Sequence, residues 1–167
     1  MLFNSYIFLG FFVLVFLVYW LISGNRFKVQ NLFLVLVSYI FYGWWSYEFL
    51  SLILISTLVD YFVGLRISKE SKDVKRKAWL MVSMAVNLGI LGFFKYYNFF
   101  VQNLIEAFDS IGMQPQLDTL HIILPVGISF YTFQTMSYTI DVYRKKLEPT
   151  HDIVAFGAYV CFFPQLV

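Results

Sequence analysis

Five residues between positions 127 and 141 have the types and spacing to do chemistry away from bulk water. Gly127, Tyr131, Gln134, Tyr138 and Asp141 follow one another at intervals of 4, 3, 4 and 3, so on a helix they share one face. Two phenols, an amide and a carboxylate in line make a hydrogen-bonding stripe. A lipid-facing helix would not carry it, because bare amide and carboxylate groups are unfavourable in hydrocarbon. Pro125, followed by Gly127, can bend or open the helix where the stripe begins. The far end is charged, Asp141-Val142-Tyr143-Arg144. Such a stripe serves equally as the wall of a substrate passage or as a polar seam between helices.

Asp60 is the other polar group inside an apolar run, four residues past Ser56 and six before Arg66. It reads either as an acid of a substrate path or as a structural acid paired near the interface, with Arg66 as the candidate partner. Asn87, with Gly89 and Gly92, predicts close helix packing through small and polar residues. The two histidines, His121 and His151, could each act as a general base, yet both fall near the end of an apolar segment, where an interfacial histidine is ordinary. A Gly-rich phosphate loop, Cys/His metal spacing and a Gly-x-Ser-x-Gly elbow are all missing. The expectation is no metal and no bound cofactor.

The elements that must position these residues follow from composition. Hydrophobic residues make up 60% of the 167, aromatic ones 22% and charged ones only 13%, with a mean hydropathy of +0.71. A soluble domain is nearer half apolar and a quarter charged, and a small one cannot hide this much apolar surface. The excess must face lipid. Cys161 is the single cysteine, so no disulfide forms within the chain. A formal charge of +2 is too small to imply nucleic acid, which is not expected as a partner.

A spanning helix needs about 20 mostly apolar residues. The sequence predicts an all-α membrane protein, a polytopic bundle in one domain over 1–167. Five spans are complete, at about Asn4–Ser23, Val29–Trp45, Phe49–Ile67, Ala78–Phe94 and Leu120–Ile140. A sixth starts near Ile153 and is still apolar at Val167. Lys95–Gln116 is amphipathic instead, with Phe99, Phe100, Leu104 and Phe108 at helical spacing among Gln102, Asn103, Glu106 and Asp109. It is expected to lie along the interface or against the bundle. The cluster Tyr42, Trp44, Trp45 and Tyr47 suits the headgroup level.

Of the 12 basic residues, 11 fall on alternate connections. They are Arg26 and Lys28; Arg66, Lys69, Lys72, Lys75, Arg76 and Lys77; and Arg144, Lys145 and Lys146. The positive-inside rule puts these in the cytoplasm and the amino terminus outside. Met1 to Ile22 has no charge and no small-residue cleavage site, so it reads as a retained span rather than a signal peptide. The uncharged run from Ile153 to Val167 would reach only about 22 Å as a helix. The chain is therefore expected to be a piece of a longer one.

Four motifs carry a family resemblance. Leu124-Pro125-Val126-Gly127-Ile128-Ser129-Phe130-Tyr131-Thr132-Phe133-Gln134, continuing as Ser137-Tyr138-Thr139-Ile140-Asp141-Val142-Tyr143-Arg144, is the most specific. The others are Ser38-Tyr39-Ile40-Phe41-Tyr42-Gly43-Trp44-Trp45, Leu91-Gly92-Phe93-Phe94-Lys95-Tyr96-Tyr97-Asn98-Phe99-Phe100 and Phe162-Phe163-Pro164-Gln165-Leu166-Val167. Together the sequence resembles the amino-terminal part of the membrane-bound O-acyltransferase family, in the branch that acetylates alginate. That resemblance implies a helical bundle around a passage through a bacterial cytoplasmic membrane. An acyl group would come from acetyl-CoA or a carrier-linked donor and go to a hydroxyl of an extracytoplasmic polysaccharide, with accessory acetylation proteins and membrane lipid as partners.

The family's catalytic histidine lies downstream of the Pro-Gln-Leu-Val motif, and neither His121 nor His151 matches its context. No catalytic residue is expected here; the substrate-tunnel candidates are Tyr131, Gln134, Tyr138, Asp141 and Asp60. The alternatives are D-alanyl transfer to teichoic acid within the same family, or a transporter or channel fragment in which Asp60 is a coupling site.

Overall fold

The computed structural model describes residues 6–22, 27–45, 47–110 and 127–165, and among them every regular element is helical. The order is α1 (Tyr6–Leu21), α2 (Phe27–Trp45), α3 (Tyr47–Lys69), α4 (Asp73–Ser110), α5 (Ile128–Tyr143) and α6 (Ile153–Cys161), followed by a 3-10 turn, Phe163–Gln165. Helix α3 is central. It packs against α4 and α5 on one side and against α2 and α6 on the other, while α1 runs along α2. Rings of Phe8, Phe11, Phe41 and Phe163 tie the 3-10 turn to α1 and α2.

Helices α3 and α5 run parallel, because Gly64 meets Tyr138 while Asp60, one turn earlier, meets the level of Thr135 and Thr139 through Ser83 and Asn87. Local chemistry sets the ends. Gly127, with φ 76°, makes the left-handed step into α5, a conformation that costs a residue without a Cβ nothing. The Asp152 carboxylate caps α6 by accepting from the N–H groups of Val154 and Ala155 at 2.9 and 3.1 Å. Pro164 cannot donate a backbone hydrogen bond, so α6 stops at Cys161 and does not continue straight.

Among the described residues, two helices are long and apolar enough to cross a membrane, within Leu50–Lys69 and Asp73–Ser110, and Tyr6–Leu21 and Ile153–Gln165 are shorter apolar segments. The outer surface of α1 is almost wholly apolar, with Leu9, Leu14, Leu17 and Trp20 exposed.

Three expectations change. The fourth span and the amphipathic stretch as far as Ser110 are one helix of 38 residues, about 57 Å at 1.5 Å per residue. No proline falls between Phe94 and Ser110, and the polar residues there are all helix-compatible. Its start at Asp73 also puts Lys75, Arg76 and Lys77 inside the helix rather than in a loop. Tyr42, expected at the headgroup level, is buried in the core, whereas Trp44 is exposed. His121, Pro125 and the first residues of the fifth span lie outside the described residues.

Candidate functional site

The polar side chains converge on α5 from two directions. Toward α4 lies a sealed seam around Asp60. Ser83 Oγ donates to Asp60 Oδ1, and Asn87 Nδ2 donates to Asp60 Oδ2 at 2.8 Å. Thr139 Oγ1 lies 3.1 Å from Ser83 Oγ, and Thr135 Oγ1 lies 3.5 Å from Asn87 Oδ1. Asp60, Ser83, Asn87, Thr135 and Thr139 are all 0% exposed. The acid therefore faces protein. Its expected partner, Arg66, is exposed and plays no part; among the described residues no cation pairs with Asp60. Helix geometry explains the correction, since Arg66 is six residues on and points away, while α4 brings Ser83 and Asn87 directly opposite. Gly89 and Gly92 meet nothing where a Cβ would be, so close packing at this level comes from Ser83 and Asn87 and not from the glycines.

The other direction holds the 4-3-4-3 stripe. Tyr131, Gln134 and Tyr138 are buried, while Asp141 is half-buried at the end. Gln134 Nε2 donates to the carbonyl of Tyr159 at 2.8 Å. That carbonyl belongs to the last turn of α6, where intrahelical donors run out; the N–H of Phe163 turns instead to Ser38 Oγ, at 3.3 Å. The amide half of Gln134 is thus a side-chain cap on α6. Tyr138 packs against Phe156, with ring centroids 4.6 Å apart and planes tilted by 46°, and its hydroxyl accepts from the N–H of Thr150 at 3.2 Å. A cleft of about 330 Å³ opens between α5 and α6, lined by Ser137, Tyr138, Asp141, Thr150, Phe156 and Tyr159 among others. Tyr138 and Asp141 face one space; Gln134 lies a turn deeper, and Asp60 is on the other seam.

The connection between α5 and α6 is strapped to the bundle. Tyr61 Oη donates to the carbonyl of His151 at 2.8 Å, so this histidine contributes backbone to the strap, and its side chain is exposed. Arg76 is 7% exposed and donates to Asp73 Oδ1 at 3.1 Å and to the carbonyl of Tyr143, with its guanidinium 5.2 Å from the centre of the Tyr143 ring. Sequence reasoning missed Ser83, Thr135, Thr139, Arg76 and Gly64. A Cβ on Gly64 would sit 2.9 Å from Tyr138 Cε1. The available signal was a glycine in mid-helix, which costs about 1 kcal/mol against alanine and so implies a packing reason. Among the described residues no group of three or more His, Cys, Asp or Glu could hold a metal.

The fold and this interior define the class: an all-helical protein with helices fit for a membrane and a polar centre shared by α3, α4, α5 and α6. Comparison with known proteins narrows it. The chain is 46% identical over 168 residues to the "Probable alginate O-acetylase AlgI" of Pseudomonas aeruginosa, covering 100% of the chain and 32% of that protein. It is 42% identical to the protein of the same name from Pseudomonas syringae pv. tomato, again over 100% of the chain and 32% of the relative. The "Peptidoglycan O-acetyltransferase" of Helicobacter pylori is 31% identical over 161 residues, 82% of the chain and 30% of that protein. No family model matches the chain, nor does any solved structure. The chain spans about a third of the length of these curated relatives. Along its whole length it is similar to these alginate O-acetylases.

Proposed function

We propose that this chain is part of a longer membrane O-acyltransferase that moves an acetyl group onto hydroxyls of an extracytoplasmic polysaccharide such as alginate. The observation that carries this is the match to alginate O-acetylases over 100% of the chain at 46% identity. The peptidoglycan O-acetyltransferase match supports the same reaction on a related polymer, and D-alanyl transfer and transport have no comparable support.

In this proposal the protein crosses the bacterial cytoplasmic membrane several times, with five complete spans in this chain, the amino terminus outside and the strongly basic stretch Lys69–Lys77 in the cytoplasm. Acyl transfer to a hydroxyl needs a base for the proton and a site that holds both substrates together. The base belongs to the part of the enzyme beyond this chain. The residues here contribute the frame: the Asp60 seam fixes α5 against α3 and α4, Gln134 ties it to α6, and Tyr138 and Asp141 line the cleft at its charged end. Acetyl-CoA or a carrier-linked acyl group is the donor, arriving from the cytoplasm, and accessory acetylation proteins act with the enzyme.

A strain lacking its own alginate acetylase tests this directly. The full-length protein should restore polymer acetylation, and this chain alone should not. Failure of the full-length protein on alginate, with activity on peptidoglycan instead, would reassign the acceptor.

A further inference from the structure

Among the described residues, five buried side-chain atoms have no hydrogen-bond partner: Tyr42 Oη, Ser56 Oγ, Tyr131 Oη, Thr132 Oγ1 and Gln134 Oε1. Their distribution is uneven. In α3 the orphan precedes Asp60, and in α5 all three precede Thr135; in α2 the orphan lies near the carboxyl end, which adjoins the start of α3. Because α3 and α5 run parallel, all five fall in one half of the bundle. The opposite half is satisfied, from the Asp60 seam through Tyr61, Tyr138 and Arg76. A buried polar atom left unpaired is costly, so native structures rarely keep one without a bound water or ligand to meet it.

Two of the orphans are complementary. Tyr131 and Gln134 are three residues apart on one face of α5, 1% and 9% exposed. The amide nitrogen of Gln134 is committed to the Tyr159 carbonyl, which leaves its Oε1 able only to accept. The Tyr131 phenol can donate. Each can pair with a hydroxyl group, Gln134 Oε1 by accepting its proton and Tyr131 Oη by donating to its oxygen. We infer that Tyr131 and Gln134 form a hydroxyl-binding pair that positions the acceptor polysaccharide. The unsatisfied half of the bundle is the one away from the basic connections, the side from which an extracytoplasmic sugar arrives. This rests on the acyltransferase function proposed above.

The test uses the full-length enzyme in lipid nanodiscs with alginate oligosaccharide, measuring binding without donor and acetylation with it. Tyr131→Phe removes only the hydroxyl and keeps the ring's packing. It should weaken oligosaccharide binding about threefold to tenfold, the loss of one hydrogen bond, and raise the KM for acceptor with the KM for donor unchanged. Gln134→Leu should do the same with some loss of folded protein, since the α6 cap goes too. If Tyr131→Phe leaves acceptor binding and KM intact while lowering the melting temperature, the pair holds a structural water and the inference fails. If wild type binds the oligosaccharide but transfers no acetyl group to it, the proposed reaction fails and the binding pair survives.

Discussion

The side-chain amide of Asn87 on α4 donates one proton to the Asp60 carboxylate on α3, at 2.8 Å, and the other to the carbonyl of Ser83 on its own helix, at 3.0 Å. Its hydrogen-bonding capacity as a donor is exhausted by these two bonds. Ser83 completes the clamp on the second carboxylate oxygen, and Thr139 brings in α5. Three helices are joined through one acid, with no cation in the set.

That arrangement makes Asp60→Asn and Asp60→Leu behave differently. An asparagine can keep accepting from Asn87 and turn its own amide toward Ser83 Oγ, whose proton then goes to Thr139, a pair in which either atom can donate. Leucine leaves the Asn87 amide and the Ser83 hydroxyl unpaired in a sealed interior, about 1–3 kcal/mol for each buried group. Thermal unfolding in detergent should put Asp60→Asn close to wild type and Asp60→Leu well below it. If asparagine unfolds the protein as readily as leucine, the negative charge itself is required.

Gly64 and Tyr138 make the second contact that a single methyl would disturb. Alanine at 64 would place its Cβ 2.9 Å from the tyrosine ring, and the ring cannot swing away freely because Phe156 and the Thr150 N–H hold it. Overpacking of this kind costs about 1–3 kcal/mol. Gly64→Ala should destabilise by that amount. In a double-mutant cycle with Tyr138→Leu, the cost of the alanine should shrink, as expected for residues in contact. An additive cycle would show that the methyl is accommodated elsewhere.

How much of this was legible in the sequence depended on what kind of contact was at stake. The stripe Tyr131, Gln134, Tyr138, Asp141 was readable because its period is local to one helix. The second polar face of α5, Thr132, Thr135 and Thr139, was passed over because threonine can bond to its own helix's carbonyls and so does not advertise a partner; Thr139 does bond to Met136. Asp60 was recognisable as an interior acid, but Ser83 and Asn87 are 23 and 27 residues away, and only packing selects them over the nearby Arg66. The six helical segments were legible from apolar run length. The join between the fourth span and the amphipathic stretch was not, since a drop in hydropathy marks where a helix leaves lipid and not where it ends.

Arg76 and Lys75 are neighbours with opposite expected effects. Both count equally in the charge asymmetry, yet Lys75 reaches Glu70 only at 3.9 Å with its side chain 61% exposed, a pair of about 0–1 kcal/mol. Arg76 is buried against Tyr143 and holds its carbonyl. Lys75→Ala should leave the melting temperature nearly unchanged, and Arg76→Ala should lower it clearly. Equal effects would mean that charge, and not the Tyr143 contact, is what matters at this end of α4.

The last prediction concerns orientation, on which the acceptor-side inference depends. Basic residues at 69, 72, 75 and 77 should lie in the cytoplasm by the positive-inside rule. Cys161, the single cysteine of this chain, is buried with 1% exposure, so it should not react with a membrane-impermeant thiol reagent. A cysteine introduced in place of the exposed Lys72 should stay unlabelled in intact cells and react once the membrane is permeabilised. Labelling of Lys72→Cys from outside would invert the bundle, place the satisfied half toward the exterior and remove the reason for assigning Tyr131 and Gln134 to the acceptor.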